Sequence, residues 1–129
     1  MIYLSIALGG AAGSILRYLL GRAVQGMSAS GFPIGTLFVN VSGCFLIGVL
    51  LRQFLNMQVS PELRAFLIVG FCGGFTTFST FSGETLALIE GGEYSRATLY
   101  VFASVGLCLV ATFAGMAAVR LLAGTRHAG

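Results

Sequence analysis

The sequence predicts an all-α membrane protein with four transmembrane helices, the third of them broken mid-span. Three observations carry that reading. Of the 129 residues, 57% are hydrophobic and only 9% charged. The mean hydropathy is +0.95, far above that of a soluble domain. A helix needs about 20 apolar residues to cross the hydrocarbon layer, and the chain offers four such runs, roughly 2–20, 32–51, 65–89 and 97–122. The connections "RAVQGMSASG", "RQFLNMQVSPEL" and "EGGEYSR" are too short for an extramembrane domain. The chain therefore reads as one four-span domain whose function lies within the membrane.

Nothing is charged before Arg17, so the first run is expected to be a retained span and not a secretory signal, which opens with positive charge. In "GGAAGSILR" the residues Gly9, Gly13 and Arg17 recur every four, placing a small-residue groove and an arginine on one helix face. Gly10 and Ser14 widen the groove. Arg17 stands near the end of the span, and two readings remain open: a wet mouth that attracts anions, or a guanidinium that snorkels to the interface.

The second span carries Asn40 in "GTLFVNVSGC". A carboxamide in hydrocarbon must find partners. Asn40 can donate two hydrogen bonds, which suits a small anion, or it can simply tie helices together.

The third span contains "GFCGGFTTFSTFSGE", residues 70–84. Glycine and β-branched threonine are poor helix formers, so "GGFTTFST" is where the helix should break. Backbone broken at membrane depth must line a cavity or bind something. Carbonyls from Gly73 to Thr77 could hold a cation, and the hydroxyls of Thr76, Thr77, Ser79, Thr80 and Ser82 could satisfy other backbone groups. Phe75, Phe78 and Phe81 are spaced by three and can share a face beyond the break. Ring edges are positive, so such a face can line a dry anion passage; the plainer alternative is lipid-facing filler.

In the fourth span Tyr100, Ser104, Cys108 and Thr112 stand four apart and form a gently winding stripe of hydrogen-bonding groups. The stripe is either interhelical glue or the wall of a polar path. The three cysteines, Cys44, Cys72 and Cys108, fall one each in spans two, three and four. Without a CxxC motif or partnering histidines they read as small apolar packers. The single histidine, His127, is expected to be solvated in the tail "GTRHAG".

The net charge is +3, but there is no lysine and no basic run, so no nucleic-acid partner is expected. Arg52, Arg64, Arg120 and Arg126 fall on one side of the membrane and Arg17, Arg22 and Arg96 on the other. Arginine asymmetry orients membrane helices, and a chain this balanced is expected to insert both ways. Dual insertion favours an antiparallel homodimer with its two-fold axis in the membrane plane. A single topology fixed by one helix or an outside factor is the alternative. No nucleophile with its base, no phosphate loop and no metal-ligand cluster is present, so the chain does not read as an enzyme.

Taken together, the four spans, "GTLFVN" in the second and the specific "GGFTTFSTFSGE" in the third resemble the small bacterial fluoride channels, Fluc or CrcB, over essentially the whole chain. That resemblance implies passive, fluoride-selective export across the bacterial inner membrane through two pores in a dual-topology antiparallel homodimer. It implies a structural sodium ion at the dimer centre, held by the carbonyls of Gly73 and Thr76. By the same resemblance Asn40 is the second-span pore asparagine, and Phe78 and Phe81 are the paired pore phenylalanines. Tyr100, Ser104 and Thr112 belong to the polar track, Glu84 matches the acidic residue after the motif, and Arg17 is the vestibule arginine. Cys108 departs from the pattern, because a serine is expected there and a thiol is the weaker donor. The rival from another class is a small proton-coupled multidrug exporter, which also uses four spans but needs an ionisable carboxylate inside one. Glu84 is its only candidate. A purely structural assembly subunit would explain the glycine groove and leave the broken helix unaccounted for.

Overall fold

A computed structural model describes residues 1–125, so Arg126 and His127 lie outside the described residues. The elements in order are α1 (Ile2–Gln25), α2 (Ile34–Leu55), the short α3 (Pro61–Arg64), a π-helical segment (Ala65–Cys72), the single turn α4 (Gly73–Phe75), α5 (Phe78–Glu90) and α6 (Tyr94–Thr125). Segments Ile2–Gln25, Ile34–Leu55, Pro61–Glu90 and Tyr94–Gly124 are each long and apolar enough to cross a membrane. Four membrane-spanning helices are thus present, each running past its expected apolar run at one end or both, although α2 begins at Ile34, inside its run. The polar ends are helical as well.

Local sequence explains the boundaries. Pro33 immediately precedes α2, and its fixed φ suits a helix start. At the head of the third span Ser60 accepts a hydrogen bond from the Leu63 amide at 3.2 Å, with Pro61 in the first helical position, a standard N-terminal cap. Gly92, at a φ of 75°, makes the left-handed turn between α5 and α6 that a side chain would resist.

Two packing seams position the interior. Gly9 and Gly13 are buried in α1, and a Cβ on either would collide with the carbonyls of Phe66 and Phe71 respectively. One turn further, the Arg17 guanidinium meets the Thr76 carbonyl at 3.4 Å. Steps of four along α1 therefore match steps of five along the third span. That is the repeat of i→i+5 bonding, and it gives the π-helical segment a packing role. The expected groove exists, and what fills it is the widened backbone of the third span.

The second seam joins α2 to α6, which run parallel. Thr36 and Tyr100 meet through Glu84, Asn40 and Ser104 line one cavity together with Cys44 and Cys108, and Gly48 lies against the Thr112 carbonyl. Each step of four along α2 meets a step of four along α6. Below this seam Phe81, Leu88, Ala97 and Tyr100 form a buried apolar cluster.

Candidate functional site

The third helix breaks at Thr76 and Thr77, both extended, with φ, ψ of −87°, 156° and −149°, 113°. The glycine pair before it does not open the chain: Gly73 and Gly74 remain helical. Gly74 is there for contact, since a Cβ on it would strike the backbone of Gly10.

A break at membrane depth leaves amides and carbonyls that lipid cannot answer. Here side chains answer several of them. The Thr77 amide donates to Asn40 Oδ1 at 2.7 Å, and Asn40 Nδ2 donates to the Thr77 carbonyl at 3.0 Å. The Thr77 hydroxyl accepts from the Thr80 amide at 3.2 Å and so caps α5. The Thr76 hydroxyl donates back to the Cys72 carbonyl at 2.9 Å. Asn40 thus ties two helices together, as one of its two readings held. Its amide nitrogen still carries a second hydrogen.

Beside this clamp lies a cavity of about 250 Å³, lined by Asn40, Cys44, Thr76, Thr77, Phe78, Phe81, Ser104, Val105 and Cys108. It brings together Asn40 and Cys44 from the second span, two threonines and two phenylalanines from the third, and two members of the fourth-span stripe, Ser104 and Cys108. The Ser104 hydroxyl is buried and has no hydrogen-bond partner. An orphaned buried hydroxyl costs on the order of 1–3 kcal/mol unless something accepts from it or donates to it.

The two phenylalanines differ sharply. Phe78 is 77% exposed on the chain, whereas Phe81 is 8% exposed. Their ring centroids lie 5.4 Å apart at 51°, and Phe81 packs further against Tyr100 at 5.1 Å. Phe75 does not join them: it lies on the other side of the break and stacks on Phe71 at 5.9 Å. The shared face expected for three rings holds for two, because the extended pair Thr76–Thr77 interrupts the helical repeat.

The fourth-span stripe is not uniform. The Tyr100 hydroxyl donates to Glu84 Oε2 at 2.7 Å, the Thr112 hydroxyl donates to the Cys108 carbonyl of its own helix at 3.0 Å, and only Ser104 is left open. Glu84 also accepts from the Thr36 hydroxyl on Oε1 at 2.8 Å. This carboxylate ties α2, α5 and α6 together, and it borders a separate cavity of about 260 Å³ with Gly31, Pro33 and Glu93.

Arg17 neither snorkels freely nor stands alone. It lines a third cavity of about 280 Å³ with Arg22, Ser14, Thr36, Thr77 and Thr80 among others. Thr77 borders both this arginine-bearing cavity and the one containing Asn40. Two arginines thus line a cavity that neighbours the one holding the open Ser104 hydroxyl.

Sequence reasoning did not find Thr36, nor the stripe Thr36, Asn40, Cys44 and Gly48 on the second span. Their four-residue spacing, matching that of Tyr100 to Thr112, was the available signal.

Fold and site define a small multi-pass membrane protein with a cavity beside a broken helix, the class to which ion channels belong. The model of the CrcB-like protein, camphor resistance (CrcB), family matches residues 4–116, and the chain belongs to that family. Similar curated proteins bear the name "Fluoride-specific ion channel FluC". The one from Thermus thermophilus is 58% identical over 113 residues, covering 88% of this chain and 90% of its own. The one from Geobacter sulfurreducens is 53% identical over 120 residues, covering 92% and 97%. The one from Rhizobium meliloti is 49% identical over 120 residues, covering 92% and 96%.

Proposed function

We propose that this chain is a fluoride-selective channel of the bacterial inner membrane that lets fluoride leave the cell passively. The observation that carries the reading is the buried, unpartnered Ser104 hydroxyl in a cavity shared with Asn40, Phe78 and Phe81. Fluoride is small and strongly hydrated, so a selective path must replace its water with good donors. Ser104 offers one donor and the second hydrogen of Asn40 Nδ2 another. The phenyl edges bordering the same space add positive potential in a nearly dry passage. Arg17 and Arg22 raise the local anion concentration at the adjoining mouth. The proton-coupled exporter is disfavoured, because both oxygens of Glu84 already accept hydrogen bonds.

The test is fluoride and chloride efflux from liposomes containing the purified protein. Fluoride is expected to leave far faster, and equal rates for the two halides would refute the reading.

The working unit in this reading is an antiparallel homodimer of dual topology with two pores. Its support is the arginine balance, together with the exposure of Phe78, a ring with too few neighbours in one chain to wall a passage. A sodium ion at the dimer centre, bound by the carbonyls of Gly73 and Thr76, belongs to the same reading. The Thr77 amide, which a continuous helix would direct to the Gly73 carbonyl, goes instead to Asn40, and Gly73 is exposed. Neutral oxygens suit a hard monovalent cation. Arg17 already donates to the Thr76 carbonyl at 3.4 Å, a long bond that a cation would displace or share. The ion, when bound, adds positive potential beside the anion path.

A further inference from the structure

Cys44 on α2 and Cys108 on α6 line the Asn40 cavity, each one turn beyond the residues that begin the proposed path. They occupy matching positions on the α2–α6 seam, between the Asn40 and Ser104 level and the Gly48 and Thr112 contact. The contact of Gly48 with Thr112, one turn further on, holds the two helices close at this level. Both thiols are partly accessible, whereas Cys72 is buried.

Among the described residues no three of His, Cys, Asp and Glu gather in a metal-binding group. No four-ligand site of these residue types is therefore present among the described residues of one chain. Two thiols from facing helices meet a different demand, that of a soft cation which takes two sulfur ligands in a line. We propose that Cys44 and Cys108 form a two-thiolate site for a soft, two-coordinate dication, Hg²⁺, and that the bound ion closes the anion path.

On binding, each thiol loses its proton to water and a metal–sulfur bond forms in its place. With Hg²⁺ the resulting unit is neutral: two positive charges meet two thiolates. A neutral complex suits walls made by Phe78, Phe81 and Val105, where a net charge would be costly to bury. The ion would stand in the space that fluoride has to cross, at the position where the family resemblance expects a serine. The blocking half of the proposal rests on reading this cavity as the anion path; the binding half does not.

Mercuric chloride is the probe, applied to a Cys72→Ala protein so that only the two cavity thiols remain. Intact-mass measurement in detergent should find one mercury per chain with two protons lost, and thiol titration should find both thiols consumed by one equivalent. The unmodified chain supplies the same mass measurement if Cys72→Ala does not assemble. In liposomes, micromolar Hg²⁺ should stop fluoride efflux, and dithiothreitol should restore it. Adding Cys44→Ala or Cys108→Ser, each judged against its own unblocked rate, should raise the half-blocking concentration at least about tenfold. Two mercury ions per chain, one capping each thiol, would overturn the site. Normal efflux with one mercury bound per two thiols would overturn the blocking half and count against the cavity as the path.

Discussion

Asn40 closes two hydrogen bonds on the backbone of Thr77, accepting from its amide at 2.7 Å and donating to its carbonyl at 3.0 Å. The clamp partners both the amide and the carbonyl of Thr77 where the extended pair interrupts the membrane helix, and it sits beside the cavity. Asn40→Asp keeps the acceptor but removes the donor and sets a carboxylate beside the path. Fluoride efflux is expected to fall at least about tenfold, since a repelled anion and a lost donor act together. Asn40→Ala should in addition lower the melting temperature in detergent, because two buried backbone groups lose their partner at about 1–3 kcal/mol each. An Asn40→Ala protein as stable as the parent would show that the clamp carries no weight.

Phe78 and Phe81 should separate under the same substitution. Phe81 is buried against Tyr100 and Phe78 is exposed. Isoleucine keeps most of the bulk but lacks the positive ring edge. Phe78→Ile and Phe81→Ile are both expected to slow fluoride severely, yet only Phe81→Ile should reduce thermal stability. Efflux and melting curves on the two purified variants check this, and normal conduction by both would make the rings packing alone.

The four spans and the place of Asn40 were legible in sequence because long apolar runs and a lone carboxamide are local features. The exact site of the break was not. "GGFTT" holds several weak helix formers, and Thr76–Thr77 opens because Asn40, on another helix, satisfies Thr77. Glu84 was visible as an acid after the motif, but its bonds to Thr36 and Tyr100 depend on how α2 and α6 align. The stripe from Tyr100 to Thr112 was visible as a period. That Tyr100 and Thr112 are already bonded while Ser104 stays open required the neighbours to be seen.

Glu84 holds two hydroxyls, so its removal should be felt as stability before it is felt as selectivity. Glu84→Ala leaves Thr36 and the fully buried Tyr100 hydroxyl without their acceptor, at a cost on the order of 1–3 kcal/mol for each. The Tyr100→Phe, Glu84→Ala double variant should recover part of the loss, since one orphaned group disappears. Additive losses in denaturant or thermal unfolding would mean that the two residues are not coupled.

Gly48 is, with Gly115, one of the two tightest points of the α2–α6 seam, and any Cβ on it meets the Thr112 carbonyl. Gly48→Ala should push the helices apart at a cost of about 1–3 kcal/mol and displace Cys108 relative to Cys44 one turn away. The protein should melt earlier, and a thiol-bridging reagent should link Cys44 to Cys108 more slowly. An unchanged melting temperature would show that the seam relaxes at no cost.

The last prediction concerns topology. Orientation follows the arginine and lysine count near the span ends, and here four arginines face three, with Arg17 among the three and engaged at the Thr76 carbonyl. A few added lysines should therefore commit every copy to one orientation. Substituting lysines into the 26–33 connection should hold that loop on the cytoplasmic side, and substituting them into the 56–60 connection should hold the chain the other way up. In an antiparallel dimer neither biased variant can assemble alone, because each lacks a partner of opposite orientation. Cells lacking their own fluoride exit and producing either variant should remain sensitive to fluoride, and cells producing both should regain resistance. Resistance conferred by one biased variant alone, with its single orientation verified by labelling a loop cysteine from outside, would exclude the antiparallel dimer.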